Sequence, residues 1–196
     1  MRVPMPAAVL AGGASRRMGV SKAALPYGLT TLLAHQTRRL SEIFEEVFVV
    51  AKRAPDFDAG PAKLLLDRSD EHAAIHGVAR ALEEAPDRVF VLGVDLPLVT
   101  APVLEAIAAR SLEGDAPATA ARADGRLQPL AAVWRRRLLP EVLDRIARGE
   151  LSLQALLEAA GAGIVPEEDW KALDPSGNSF ANVNTLQDYV AARGTA

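Results

Sequence analysis

The chain has no cysteine, which excludes disulfides, thiolate zinc sites and cysteine-ligated iron–sulfur clusters. Histidine is scarce, with only His35, His72 and His76, so a metal would have to rest mainly on oxygen. His72 and His76 have the i, i+4 spacing of one helix face, but imidazole sites usually need three or four ligands and no third is evident nearby. No apolar run approaches the roughly 18 residues of a membrane span. Basic blocks are missing apart from Arg135 to Arg137, which reads as a solvated helix face. With 22 basic and 25 acidic residues the formal net charge is −3, which does not suit a large nucleic-acid footprint. No Ser-His-Asp set and no paired-carboxylate spacing stands out, so a covalent intermediate is not expected. Internal repeats, low-complexity segments and long linkers are also absent.

What is present suits a single domain spanning 1–196. A chain of 196 residues with 49% hydrophobic and 24% charged residues can bury a substantial core, and it reads as soluble and cytoplasmic, with neither a nucleic-acid nor a membrane partner. The opening MRVPMPAAVLAGG has a basic residue and a short apolar run. It lacks a clear cleavage pattern and leads straight into glycines, so it reads as a strand rather than a signal peptide.

Apolar runs alternate with helical patterns, which predicts an α/β fold with a mainly parallel central sheet. Strands are expected at Ala7 to Leu10, Val47 to Ala51, Lys63 to Leu66, Arg88 to Val94, Ala116 to Ala121, Pro129 to Trp134 and Gly163 to Val165. In the fourth, Val89, Phe90, Val91 and Leu92 are consecutive and apolar, as in a strand covered on both faces. Ile75, Val78, Ala79 and Leu82 have helical spacing. Another helix should follow Thr100, with Thr100 as cap, Pro102 in its first turn, and Val103, Leu104, Ile107 and Ala108 as its apolar stripe. Further helices are expected near Arg136 to Ala147, Ser152 to Ala159 and after Thr185. The polar stretch from Glu167 to Ser179 reads as a long loop.

The most informative segment is Leu10 to Lys22, LAGGASRRMGVSK, directly after the first strand. Gly12 and Gly13 let the backbone turn and bring its amides close to a ligand. Arg16, Arg17 and Lys22 add positive charge, and exposed N–H groups with basic side chains suit phosphates. The spacing is neither that of a P-loop, since Ser21 precedes Lys22 and Ala23 follows it, nor Gly-x-Gly-x-x-Gly. The reading is a polyphosphate cradle of another kind.

In open α/β sheets ligands bind beyond the carboxyl ends of the strands. Asp95 stands there, after VFVLGV and before Leu96-Pro97, and can give Mg²⁺ the carboxylate it needs beside substrate phosphates and water. Asp67, after Leu64-Leu65-Leu66, is a second candidate, with Asp70 and Glu71 close by. In FANVNT, Asn182 and Asn184 fall on one side of an extended segment, where paired amides read heterocycle edges; Asn184 or Thr185 can equally cap the last helix. Phosphoryl and nucleotidyl transfer need positioning and cationic stabilisation, which a glycine loop, Lys22, arginines and an Asp-bound Mg²⁺ supply.

With these residues in place, the chain resembles the molybdenum cofactor guanylyltransferases, within the Rossmann-like nucleotidyltransferases. The resemblance covers nearly the whole chain. It rests on Leu10-Ala11-Gly12-Gly13, Arg17-Met18-Gly19 and Lys22, on Asp95 before Pro97, on Gln128-Pro129-Leu130, and on Asn182 to Thr185. It implies a three-layer sandwich that transfers GMP from GTP to molybdopterin carrying molybdenum and releases pyrophosphate. It further implies backbone contacts to the nucleotide from Leu10, Ala11, Gly12 and Gly13, and catalytic roles for Lys22, Arg17 and Asp95. Asp67 would line the nucleotide site, Asp95 would hold Mg²⁺, and Asn182 and Asn184 would face the pterin. Transient contact with other cofactor-biosynthesis proteins is also implied. Gly19-Val20-Ser21 and Ala74-Ile75-His76-Gly77 depart from the pattern of many relatives. Gly12 favours guanine, because a cytidylyltransferase branch usually has alanine there. Cytidylyl transfer to the same cofactor, nucleotidyl transfer to a sugar phosphate or other small phosphate, and a nucleotide-binding regulator without turnover are the alternatives.

Overall fold

Each apolar run in the N-terminal half becomes a strand of one sheet, because side chains that alternate across a pleat can bury both faces only between two helical layers. A computed structural model describes residues 1–12, 21–183 and 185–193. Residues 13–20, which include Gly13, Arg16 and Arg17, lie outside the described residues, as does Asn184.

The elements run β1 (Val3–Leu10), β2 (Pro26–Tyr27), β3 (Thr30–Thr31), α1 (Leu32–Ile43), β4 (Phe44–Ala51), β5 (Lys63–Leu66), α2 (Ala74–Glu84), β6 (Arg88–Gly93) and α3 (Ala101–Glu113). They continue with β7 (Ala118–Ala123), β8 (Arg126–Arg135), α4 (Leu139–Ala147), α5 (Leu153–Ala159), β9 (Gly163–Val165), α6 (Glu167–Leu173) and α7 (Leu186–Arg193). Seven strands form the main sheet in the order β5-β4-β1-β6-β8-β7-β9, while β2 and β3 make a small hairpin. Only β8 runs against its neighbours in that sheet; every other pairing is parallel.

Alternation along β1 and β6 divides the core. Ala7, Val9, Phe90 and Leu92 pack with α1 and α3, and Ala8, Leu10, Val89 and Val91 pack with α2, α4 and α5. The result is the expected three-layer α/β sandwich with a mainly parallel sheet. Each fully buried large aliphatic side chain contributes about 1.5–3 kcal/mol, and Leu32, Leu33, Ile75, Leu82 and Leu92 are all at or near zero exposure.

Several local expectations are corrected. Pro102 does open α3, but the Thr100 side chain makes no capping bond; its hydroxyl is buried without a partner among the described residues. The segment 167–179 is not one loop: Glu167–Leu173 form α6, because Trp170 buries its ring and donates from Nε1 to the Arg122 carbonyl. The remainder is a tight turn around Asp174, which accepts from the amides and hydroxyls of Ser176 and Ser179. Burial alone would raise the Asp174 carboxyl, yet these hydrogen bonds outweigh it and hold its pKa below the ordinary value.

Of Arg135 to Arg137, Arg136 and Arg137 are exposed on a short 3₁₀ turn, as expected, but Arg135 is not. Arg135 ends β8 nearly buried, donates to Gly114 O at 2.6 Å and pairs with Asp115, and Arg136 donates to Ala85 O. The last helix is capped by Thr185, whose hydroxyl accepts from Asp188 N–H while the Asp188 carboxylate accepts from Thr185 N–H. His72 precedes α2, so the helical spacing with His76 is not realised; His76 meets Glu71 instead.

Candidate nucleotide site

Parallel pairing of β1, β4, β5 and β6 brings their carboxyl ends to one edge of the sheet. The cavity there is lined by Leu10, Ala11 and Gly12 after β1, Lys52 after β4, Asp67 after β5, and Gly93, Val94 and Asp95 at the end of β6. Lys22, Leu130, His72, Ala73, Ala74 and Gly77 complete the wall with Val50. The strand ends that sequence reasoning singles out, Leu10 to Gly12, Lys22, Asp67 and Asp95, thus meet in one place. Asn182 does not line this cavity. It is exposed, but its neighbour Val183 donates to the Asp95 carbonyl at 2.8 Å, which puts the segment beside Asp95.

The glycine loop leaves the sheet under restraint. Ala11 N–H donates to Val50 O at 2.9 Å, and Val94 N–H donates to Leu10 O at 3.2 Å, so ladder pairing continues up to the turn. Helix α2 sits close because residue 77 is glycine: a Cβ there would stand 3.2 Å from both terminal carbons of Leu10. Lys22 begins a short 3₁₀ turn, Lys22–Ala24, that leads into the β2–β3 hairpin.

Asp95 is held by its backbone. Leu96 N–H closes a turn onto Gly93 O at 3.1 Å. From α1, buried Gln36 donates through Nε2 to the Gly93 and Val94 carbonyls at 3.3 and 3.2 Å. One turn later Arg39 donates to Pro97 O at 2.7 Å and also to Val99 O. Burial pulls the Arg39 guanidinium down from its ordinary value, with Tyr27 and Glu42 partly offsetting this. Burial, reinforced by Arg39, likewise lowers His35. Gly93 cannot be replaced freely, since a Cβ would overlap the Asp95 carboxylate.

Asp67 is set differently. Its Oδ2 pairs with Lys52 Nζ at 2.7 Å, and its Oδ1 accepts from Ser69 N–H at 2.9 Å. Asp95 has no ion-pair partner among the described residues. No group of three or more His, Asp or Glu that could cage a metal occurs among the described residues either. Asp95, the cavity carboxylate without an ion-pair partner among the described residues, suits Mg²⁺, which takes one or two carboxylates and completes its shell with phosphate and water. Sequence reasoning missed Lys52, Gln36 and Arg39. Lys52 was accessible to the strand-end argument that found Asp67 and Asp95; Gln36 and Arg39, inside a helix, carry no such signal.

The profile of the MobA-like NTP transferase domain matches residues 7–164. A Mycobacterium tuberculosis protein named probable molybdenum cofactor guanylyltransferase is 36% identical over 166 residues, covering 82% of each chain. An Aquifex aeolicus protein of the same name is 32% identical over 183 residues, covering 92% of this chain and 86% of its own. The crystal structure of molybdopterin-guanine dinucleotide biosynthesis protein A from Archaeoglobus fulgidus superposes with a TM-score of 0.83 at 24% identity, covering 97% of this chain and 98% of that one. That likeness is one of fold, and no described helix here is long and apolar enough to cross a membrane. With most of its length matched in sequence as well, the chain belongs to the MobA-like NTP transferase family.

Proposed function

We propose that the protein transfers GMP from GTP to molybdopterin carrying molybdenum, with Mg²⁺ at Asp95, and acts in the cytoplasm. The observation that carries this reading is the meeting of Leu10 to Gly12, Lys22, Asp67 and Asp95 in one cavity at the carboxyl edge of the sheet. The names of the relatives support the acceptor. In the reaction an oxygen of the pterin phosphate attacks the α-phosphorus of GTP. A new P–O bond forms, the bond from α-phosphorus to the bridging oxygen breaks, and pyrophosphate leaves with that electron pair.

The Gly12 amide and the Lys22 ammonium hold the phosphates, and Arg17 is assigned as a further cation. Asp95 holds the metal, which when bound offsets negative charge on the phosphate oxygens. Asn182 and Asn184 are assigned to binding the acceptor. Asp67 offers two carboxylate oxygens, each with a further lone pair, to the adjacent N1–H and N2–H donors of guanine. Cytosine would present an acceptor, N3, to the same carboxylate, so the donor set favours GTP.

Thermal unfolding with GTP, CTP, ATP and UTP plus Mg²⁺ tests the nucleotide, since a ligand at 100 times its dissociation constant stabilises by about 2.7 kcal/mol. GTP should stabilise most. A preference for CTP would transfer the proposal to cytidylyl transfer, and absence of pyrophosphate release from GTP with molybdopterin would favour a regulator without turnover.

A further inference from the structure

Lys52 lines the cavity, yet its ammonium is engaged by oxygens of the protein itself. Nζ lies 2.7 Å from Asp67 Oδ2 and 2.6 Å from each of the Ser69 and Glu71 carbonyl oxygens. An ammonium has three donors, so this set is complete. The loop between β5 and α2 thereby closes around one cation, and Ser69 N–H grips the other oxygen of Asp67 at 2.9 Å. The pair is shielded, with side-chain exposures of 21% for Lys52 and 9% for Asp67.

We propose that Lys52 is a positioning residue that sets nucleobase selectivity: it fixes the Asp67 carboxylate and the carbonyls of Ser69 and Glu71 as one rigid wall, and takes no part in phosphate binding. This rests on the reading of Asp67 given above. With both oxygens anchored from the protein side, Asp67 presents its remaining lone pairs in a fixed direction. Guanine satisfies them with N1–H and N2–H, whereas hypoxanthine lacks the exocyclic amine. Removing the ammonium frees Asp67 to rotate toward water, away from the base.

The test compares wild type, K52M and K52R by calorimetry with GTP, ITP and inorganic tripolyphosphate as probes, all with Mg²⁺. Wild type should bind GTP at least about tenfold tighter than ITP, the size expected for a hydrogen bond to a charged group. In K52M that ratio should fall toward unity while tripolyphosphate affinity is little changed; K52R, which keeps charge and donors, should restore the ratio. Should K52M fail to fold, K52Q carries the same comparison without the charge. An unaltered GTP-to-ITP ratio in K52M, or a loss of tripolyphosphate affinity in step with GTP, overturns the assignment. A wild type that does not distinguish GTP from ITP overturns the Asp67 reading itself, a separable result because it needs no variant.

Discussion

Gly93→Ala is a one-carbon test of whether the Asp95 carboxylate is used where it stands. The added methyl would enter the space of Asp95 Oδ1 and stand 3.3 and 3.4 Å from Cβ and Cδ1 of Leu130. The Leu130 contacts are tight but can yield by tenths of an ångström. The carboxylate cannot stay, and restoring ordinary contact requires it to move by about 1 Å. Its backbone has little freedom to follow, because the Gly93, Val94, Asp95 and Pro97 carbonyls are each tied to Gln36, Val183 or Arg39. The side chain must therefore rotate. Stability should fall by about 1 kcal/mol, the low end for overpacking, since the displaced atom ends a short mobile chain. Turnover should fall about a hundredfold, as expected for a 1 Å misplacement of a catalytic group. Urea unfolding and the initial rate of pyrophosphate release at saturating substrates measure the two effects separately. A folded variant that retains wild-type turnover would refute the view that the orientation of Asp95 matters.

Other perturbations separate the remaining parts of the site. Asp95→Asn removes the carboxylate charge and should strongly weaken Mn²⁺ binding, read by electron paramagnetic resonance in the presence of GTP, along with turnover; wild-type metal affinity would dismiss Asp95 as the metal ligand. Lys22→Ala should weaken GTP binding by roughly 1.5–3 kcal/mol, the worth of a charge-assisted phosphate contact, and calorimetry that finds the dissociation constant unaltered would count against the loop. Asp174→Asn should cost about 1–3 kcal/mol at neutral pH by disturbing the bonds from Ser176 and Ser179. Because the folded carboxyl lies below its ordinary value, that advantage is complete above the unfolded pKa of about 3.9 and disappears as pH falls through the folded one. The stability gap between wild type and D174N should therefore narrow below that pH, and a constant gap across the acid range would contradict the assignment.

The sequence makes β6 plain because four consecutive apolar residues have nowhere to go except a strand covered on both faces. Asp95 follows from the same logic, and Asp67 from the shorter apolar run of β5, although that edge strand leaves Leu64 and Leu66 exposed. Helix α1 is harder to see: Gln36 and Thr37 are fully buried in it, so a reading that assigns polar residues to solvent loses the apolar stripe. Those two residues face inward to satisfy carbonyls of other segments, a relation that no local pattern contains. Helix α6 is disguised by the acids of its first turn, where Glu167, Glu168 and Asp169 complement the helix dipole, and its anchor is Trp170 alone. Lys52 is adjacent to Arg53 in sequence and looks like part of a solvated basic turn. Its role emerges only when β5 brings Asp67 alongside β4.

The reversal of β8 divides responsibility between two kinds of backbone. The parallel strands meet the cavity at their ends, where Ala11, Asp67 and Val94 are held by ladder bonds running into the core. β8 instead begins at that edge, so Gln128 to Leu130 arrive from a two-residue hairpin at Asp124 and Gly125 whose tip is exposed. Changes to that tip leave the pairing of β1, β4 and β6 untouched. Substitutions from Arg122 to Gln128 can therefore alter the rim of the cavity that leads to Leu130 while the strand ends carrying Leu10, Lys52 and Asp95 stay as they are.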